Sequence, residues 1–443
     1  MINPVSLQAD QTPLRVLLIS PRFPPTSAAD SQRLRSLLPH LSAIGCSPAV
    51  LALDPACCTD GLDPWQAEHL PPEVPIHRVR GLPRRWSRLP GFGSIEARSY
   101  RALARTGSRI LQQHHFDGVY FTTTAFGTFR LGPYWKHRHD VPFVLDYQDP
   151  WVNDHYRRHP EIVPPGGRFK YAVAARVSRF QEPRVLRDAA GYTAVSAAYP
   201  AALQARYPFA SAIPSLVLPF PGSSLDFENL LSLAPSQLPF DPHDGLIHWV
   251  SIGRGGADLH NALAGLFEAI RHAPAELRQR LRLHFLGTSY APAGLGVPSI
   301  APLAQRYGLA ELVEERTERL PLSLTLASLK AADALLVLGS NDPAYTASKL
   351  YPYLLARRPL LAVMHEQSSV VEVLQRCGGG TAVTFNAATT TAQLAEAIAS
   401  HWLADHQHSR VLPLDRVAFE PHTAAGQAKI LVAFLRRCLS AHG

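Results

Sequence analysis

The chain has 443 residues, 46% of them hydrophobic, which is more than one typical core absorbs and enough for two. Its formal charge of +8 is uneven, with 25 basic against 18 acidic residues in 1–240 and 18 against 17 in 241–443. No apolar run reaches about 18 residues, residues 1–13 lack a basic start leading into an apolar stretch, and the five cysteines have neither zinc-site nor disulfide-scaffold spacing, so the reading excludes a membrane span and a secretory leader and expects a reducing cytoplasm.

Residues 14–20, LRVLLIS, form a leucine-rich and β-branched run that stops at Pro21, followed by a loop and a helical stretch at 31–44 that Gly45 closes. A second run at 48–53 completes the spacing of a βαβ unit, and such units imply a parallel sheet. Nine arginines between Arg78 and Arg109 face the single acid Glu96. Leu82, Trp86, Leu89, Phe92 and Ile95 are interleaved with them, so the segment suits phosphates or an anionic membrane surface, with a helix expected from about Ser94. No zinc-finger spacing, RNA-binding signature or basic zipper accompanies the arginines, which argues against nucleic acid. Further strands are predicted at 118–122, 142–147, 192–195 and 215–218, with a helix at 167–186.

Proline-rich residues 219–242 break this alternation as an interdomain linker does. It restarts with strands at 247–252, 281–286, 334–338, 360–364 and 381–385, and with helices at 258–272, 322–331, 348–356, 368–375 and 391–402. A last helix, 423–439, has no strand after it. The expected fold is therefore α/β, two tandem Rossmann-like doubly wound domains facing across a cleft. The boundaries are a first domain at 1–220, a linker at 221–244, a second domain at 245–420 and a terminal helix at 421–443.

Residues 20–30, the first strand-to-helix loop, contain no glycine, which disfavours a nicotinamide dinucleotide there. Walker, H-E-x-x-H and G-x-S-x-G patterns are also missing, which removes three common catalytic templates. Three stretches carry candidate chemistry. Residues 146–151, DYQDPW, end a predicted strand, where alternation puts Asp146 and Gln148 on one side and starts the loop at Asp149. Asp149 as a turn cap and Trp151 as core filling is the structural alternative. Residues 251–256, SIGRGG, place Gly253, Arg254 and Gly255 between a strand and a helix, a combination suited to a diphosphate or, alternatively, an ordinary flexible loop. Residues 345–350, YTASKL, offer Thr346, Ser348 and Lys349 at a helix start, where a lysine opposes the helix dipole unless an anion is bound nearby.

Together these stretches resemble family 4 of the retaining GT-B glycosyltransferases. Pro24-Pro25, the D-x-R-D-x-W-like residues 146–151, Gly253-Arg254, and the S-K-L-x-E-Y-L-A-x-x-x-P-x-L-like residues 348–360 carry the resemblance over most of the chain. It implies a nucleotide-sugar donor held mainly by the second domain through Gly253, Arg254, Gly255, Thr346, Ser348 and Lys349. It also implies an acceptor of unidentified kind, a sugar, lipid-linked sugar or small molecule, on the side of Asp146 and Trp151. Retention, no metal and no cofactor follow from the same resemblance, with Asp149 as the candidate catalytic group. The family's paired glutamates fall on Ala344 and Pro352, its D-x-R-D-x-W arginine on Gln148, and the lysine five residues after the loop arginine on Leu259. These departures keep two rivals in view, a non-catalytic adaptor on the same fold and a nucleotide-sugar epimerase. The enzyme is expected in the cytoplasm, with peripheral contact to an anionic inner membrane face.

Overall fold

Each leucine-rich run forms a strand, and alternate residues along it enter opposite cores. Leu17 and Ile19 of the first strand belong to one apolar cluster, Val16 and Leu18 to another, so the strand is buried on both faces as parallel strands are. The computed structural model describes residues 12–89, 91–153, 157, 167–230, 237–291, 294–342, 345 and 348–440. They divide into two compact units, residues 1–220 with 424–443, and residues 221–423.

In the first unit β1 (Leu14–Ile19), β2 (Cys46–Leu53), β3 (Ile76–Val79), β4 (Gly118–Thr122), β5 (Phe143–Tyr147), β6 (Gly191–Ala194) and β7 (Ser215–Val217) form a parallel sheet in the order β3-β2-β1-β4-β5-β6-β7. Helices Ile95–Gln113 and Leu131–His139 cover one face with Leu103, Ile110 and the fully buried Trp135. Helix Gln32–Leu41 covers the other with Leu34, Leu37 and Leu38. The last helix, Ala424–Ser440, joins that second face through Leu431, Phe434 and Leu435. Its close approach needs glycine at the strand starts: a β-carbon on Gly118 would lie 2.4 Å from Leu439, and one on Gly191 would lie 2.6 Å from Cys438.

The second unit holds β8 (Ile247–Ile252), β9 (Leu281–Leu286), β10 (Val313–Arg316), β11 (Ala334–Leu338), β12 (Leu360–His365) and β13 (Thr381–Phe385), parallel in the order β10-β9-β8-β11-β12-β13. Trp249, Leu283, Leu336 and Val363 pack with Leu263, Leu266 and Phe267 of helix His260–Arg271 on one face. Val250, Val337 and Ala362 pack with Leu329, Tyr353 and Leu354 on the other. Burying a side chain of this size stabilises by roughly 1.5–3 kcal/mol. The segment expected as a linker contains a short helix, Ser224–Glu228, and Gly222 bridges Thr423 in parallel, so the second unit opens and closes side by side. No helix among the described residues is long and apolar enough to cross a membrane.

Candidate functional site

Each sheet reverses its strand order once, between β1 and β4 in the first unit and between β8 and β11 in the second. Loops leaving neighbouring strands diverge at such a point, which opens a crevice at their carboxyl ends. The candidate residues of each unit gather there.

In the second unit β8 runs into Gly253 at φ 130° and, two residues past Arg254, Gly256 at φ 145°, conformations that side-chain-bearing residues rarely adopt. Tyr353 fixes the exit of β8, its hydroxyl accepting from Ile252 N at 2.6 Å and donating to Ile252 O at 3.1 Å. Arg254 is oriented by Asp258 through two hydrogen bonds, 2.9 Å to Oδ1 and 2.6 Å to Oδ2, and lies 4.9 Å above the Tyr345 ring. Lys349 reaches the same loop: a β-carbon on Gly253 would sit 3.7 Å from its Cδ and 4.0 Å from its Nζ. Its ammonium has no hydrogen bond or ion pair to a described residue, and burial together with the Arg254 cation pulls its pKa down to about 8. Glu315 of β10 stiffens the neighbouring loop, accepting from Ser299 N, Ile300 N, Ala301 N and Thr288 Oγ1 at 2.7–3.0 Å, while Thr288 O receives Gly255 N at 2.8 Å.

Gly253, Arg254, Gly255 and Lys349 are thus brought together. Ser348 precedes helix Leu350–Ala356, its carbonyl accepting from Tyr351 N at 3.4 Å, and Thr346 lies outside the described residues. Leu259, at the position of the family's lysine, is buried in the core beneath the loop. Asp258 is legible in hindsight from its place four residues after Arg254, where a helical turn brings opposite charges together. Glu315 has no such signal, since its partners are three backbone amides 14 to 16 residues earlier and a hydroxyl 27 residues earlier.

In the first unit Asp146 is fully buried. Its carboxylate pairs with Arg33 Nε at 2.8 Å and accepts from Thr122 Oγ1 at 2.9 Å, Gln148 Nε2 at 2.9 Å and Thr193 Oγ1 at 2.7 Å. Arg33 donates onward to Leu218 O at 2.5 Å and Pro219 O at 3.1 Å. Asp146 therefore ties β4, β5, β6, helix Gln32–Leu41 and the chain after β7 into one frame. Trp151 is buried too, stacked on Phe126 at 5.9 Å and edge-on to Phe129 at 5.6 Å, so it supports the loop from below.

Asp149 stands differently, exposed on that loop with no hydrogen bond or ion pair to a described residue. The surrounding protein and then the Asp30 carboxylate push its pKa up, and Arg22 only partly offsets them. Asp30 itself is buried, accepting from Thr123 Oγ1 at 2.8 Å and Thr124 N at 2.9 Å and pairing with Arg22 at 2.9 Å. Arg22 and Asp30 escape sequence reading because their glycine-free loop matches no phosphate-binding pattern. The Cys58 thiol is raised to about 11, chiefly by burial, which suits an inert thiol.

No protein-family model matches this chain, and none of the curated proteins does. Solved structures do match it over nearly its whole length. A glycosyltransferase from Rickettsia africae aligns over 97% of this chain and 99% of its own at 12% identity, with a TM-score of 0.59. Anabaena HepE in complex with UDP-glucose aligns over 97% and 99% at 15% identity, with a TM-score of 0.54. A trehalose 6-phosphate synthase from Burkholderia multivorans aligns over 98% and 100% at 10% identity, with a TM-score of 0.58. At these identities the likeness is one of fold, the pair of parallel-sheet units that characterises the GT-B architecture.

Proposed function

We propose that the chain is a glycosyltransferase that takes a sugar from a uridine diphosphate donor bound by the second unit and passes it to an acceptor bound by the first. The observation that carries this reading is Lys349, a partly buried ammonium without a counter-charge among the described residues, set against a glycine loop and an oriented arginine. A diphosphate supplies the missing anion, with loop amides for the close approach that glycine permits. HepE, which shares the fold, was solved with UDP-glucose.

The chemistry follows from the charges. The bond from the anomeric carbon to the diphosphate oxygen breaks with its electron pair going to the leaving group, where Lys349 and Arg254 offset the developing charge. The acceptor hydroxyl forms the new bond and gives its proton to Asp149, whose raised pKa makes it a stronger base than an ordinary surface aspartate. Asp146 and Trp151 act as positioning residues for that loop. Retention, independence of metal and cofactor, Ser348 and Thr346 as further donor contacts, and cytoplasmic location with peripheral membrane contact complete the reading.

The test is thermal stabilisation of the purified chain by UDP and UDP-sugars, followed by donor hydrolysis and acceptor screening. Stabilisation by UDP that Lys349→Met removes supports the donor site. An unchanged melting temperature in saturating UDP overturns it, and UDP binding without turnover of any UDP-sugar would leave an adaptor.

A further inference from the structure

A cavity of about 480 Å³ opens within the first unit at the β1/β4 switch point, inside the range of roughly 300–1,000 Å³ usual for small-molecule sites. Arg22 and Thr124 line it from the loops after β1 and β4, Ser87 and Gly93 from the arginine-rich segment, and Glu96 and Arg98 from the first turns of helix Ile95–Gln113. Arg98 is 6% exposed. Its guanidinium has no hydrogen bond or ion pair to a described residue, unlike Arg22, which Asp30 neutralises at 2.9 Å. Glu96 lines the same cavity and packs over Gly127, where a β-carbon would come within 2.5 Å of its Cγ, and it makes no ion pair with Arg98. The Arg98 stem is packed away while its nitrogens stay open to the cavity, so water, and no paired acid among the described residues, faces the charge, and an entering anion can take that place.

We propose that this cavity is the acceptor site and that the acceptor is an anionic polyol, its phosphoryl or carboxylate group paired with Arg98. This deepens the proposed function and rests on it for the word acceptor. The guanidinium fork matches either oxyanion with two parallel hydrogen bonds. Glu96 and the hydroxyls of Thr124 and Ser87 face the same space and take the polyol hydroxyls. A neutral sugar would leave Arg98 uncompensated, so the site discriminates by charge before it discriminates by shape.

Calorimetric titration with glucose 1-phosphate, glucuronate and glucose decides, in the wild-type chain and in the Lys349→Met chain, whose donor site cannot hold the probe's phosphate. At least one of the two anions should bind about tenfold or more tightly than glucose, and whichever does so identifies the oxyanion. That preference should survive Lys349→Met and vanish in Arg98→Met. Should Arg98→Met fail to fold, Gly93→Phe carries the test: a β-carbon there meets nothing within 4 Å, so the ring enters open space at the cavity and blocks it with Arg98 intact. Equal affinity for all three probes, no binding of either anion, or anion affinity kept in Arg98→Met and Gly93→Phe overturns the inference. UDP binding is followed in parallel: loss of the anion site with UDP binding intact refutes only this inference, and the converse refutes only the donor site.

Discussion

Replacing Lys349 tests the donor site because its charge state can be set by pH without touching any other group in the loop. With a pKa of about 8 its ammonium is about nine-tenths charged near pH 7 and about one-tenth charged near pH 9. Tyr345 titrates above its ordinary value, chiefly through burial, so it stays neutral over that interval. The terminal phosphate of UDP, with a second pKa near about 6, is already ionised. If only the charged lysine binds the diphosphate, apparent affinity falls with the competent fraction, about tenfold or 1.4 kcal/mol between the two conditions. Isothermal titration in two buffers of different ionisation heat should also show close to one proton taken up per UDP bound near pH 9. Lys349→Met should bind weakly at both values and lose the slope and the proton uptake. A wild-type affinity that is flat across the interval, or a slope that persists in Lys349→Met, refutes the assignment of Lys349 as the diphosphate's counter-charge.

Asp149→Asn should abolish transfer while leaving UDP affinity within about twofold, and in the wild type the acid limb of kcat/KM should lie above the ordinary aspartate value of about 3.9. Asp30→Asn removes a charge that raises Asp149, so it should move that limb to lower pH, and an unmoved limb counts against Asp149 as the base. Asp146→Asn leaves Arg33 buried without its anion and should cost about 3–5 kcal/mol in a urea titration; a loss under about 1 kcal/mol would mean the frame does not depend on the pair. Leu82, Trp86 and Leu89 are exposed beside Arg85 and Arg88, so the chain should float with anionic vesicles at low salt and release at high salt, and no flotation at low salt removes the membrane contact. His284 sits in a buried chain, 2.9 Å from His248 and 3.0 Å from Glu314, with Asp244 3.0 Å beyond His248 and Arg316 paired to Glu314. Burial outweighs Glu314 and lowers its pKa to about 4, so the unfolded chain binds the extra proton first and stability should fall by up to about 3 kcal/mol as pH drops from about 6.5 to 4. A urea midpoint with the same pH slope in His284→Asn as in the wild type would contradict this.

Five strands rich in apolar and β-branched residues were legible to the residue. Residues 118–122, 247–252, 281–286, 334–338 and 381–385 carry apolar or β-branched residues at most positions, and they form strands with those limits. The edge strands β3 and β10 were not legible. IHRV and VEER carry one or two apolar residues each and are strands because β2 and β9 offer them a ladder, which is a tertiary cause. Helix Leu131–His139 escaped for a related reason: its sequence has no apolar stripe, and its burial rests on Leu131 and Trp135. At the site, strand alternation correctly paired Asp146 with Gln148, whose side chains share a hydrogen bond. Nothing local distinguishes Arg33, a buried frame residue, from a solvated helix arginine, because its partner Asp146 lies more than a hundred residues away. Arg98 is illegible in the opposite sense, since a missing partner is visible only once the neighbours are in place.

That contrast bears on function. Where this chain buries charge for structure, it pairs it: Arg33 with Asp146, Asp30 with Arg22, Glu182 with Arg206 at 3.2 Å, His248 and His284 with each other and with carboxylates. An unpaired cation withdrawn from water lowers stability, and selection for folding alone replaces it or supplies an acid. Arg98 and Lys349 escape that pairing, and each lies at the switch point of its own sheet, where ligands of open α/β sheets bind. Among the described residues neither cation meets a counter-charge, and both proposed sites rest on that. For the second unit the proposed anion is a diphosphate, because glycine backbone and a second, pre-oriented arginine stand beside the lysine. For the first the proposed anion is a smaller oxyanion with hydroxyls around it, because the arginine shares its cavity with Glu96 and neutral hydroxyls. On the proposed function, one such cation for each substrate makes donor and acceptor binding separable, so UDP affinity and anion affinity are expected to fail in different variants.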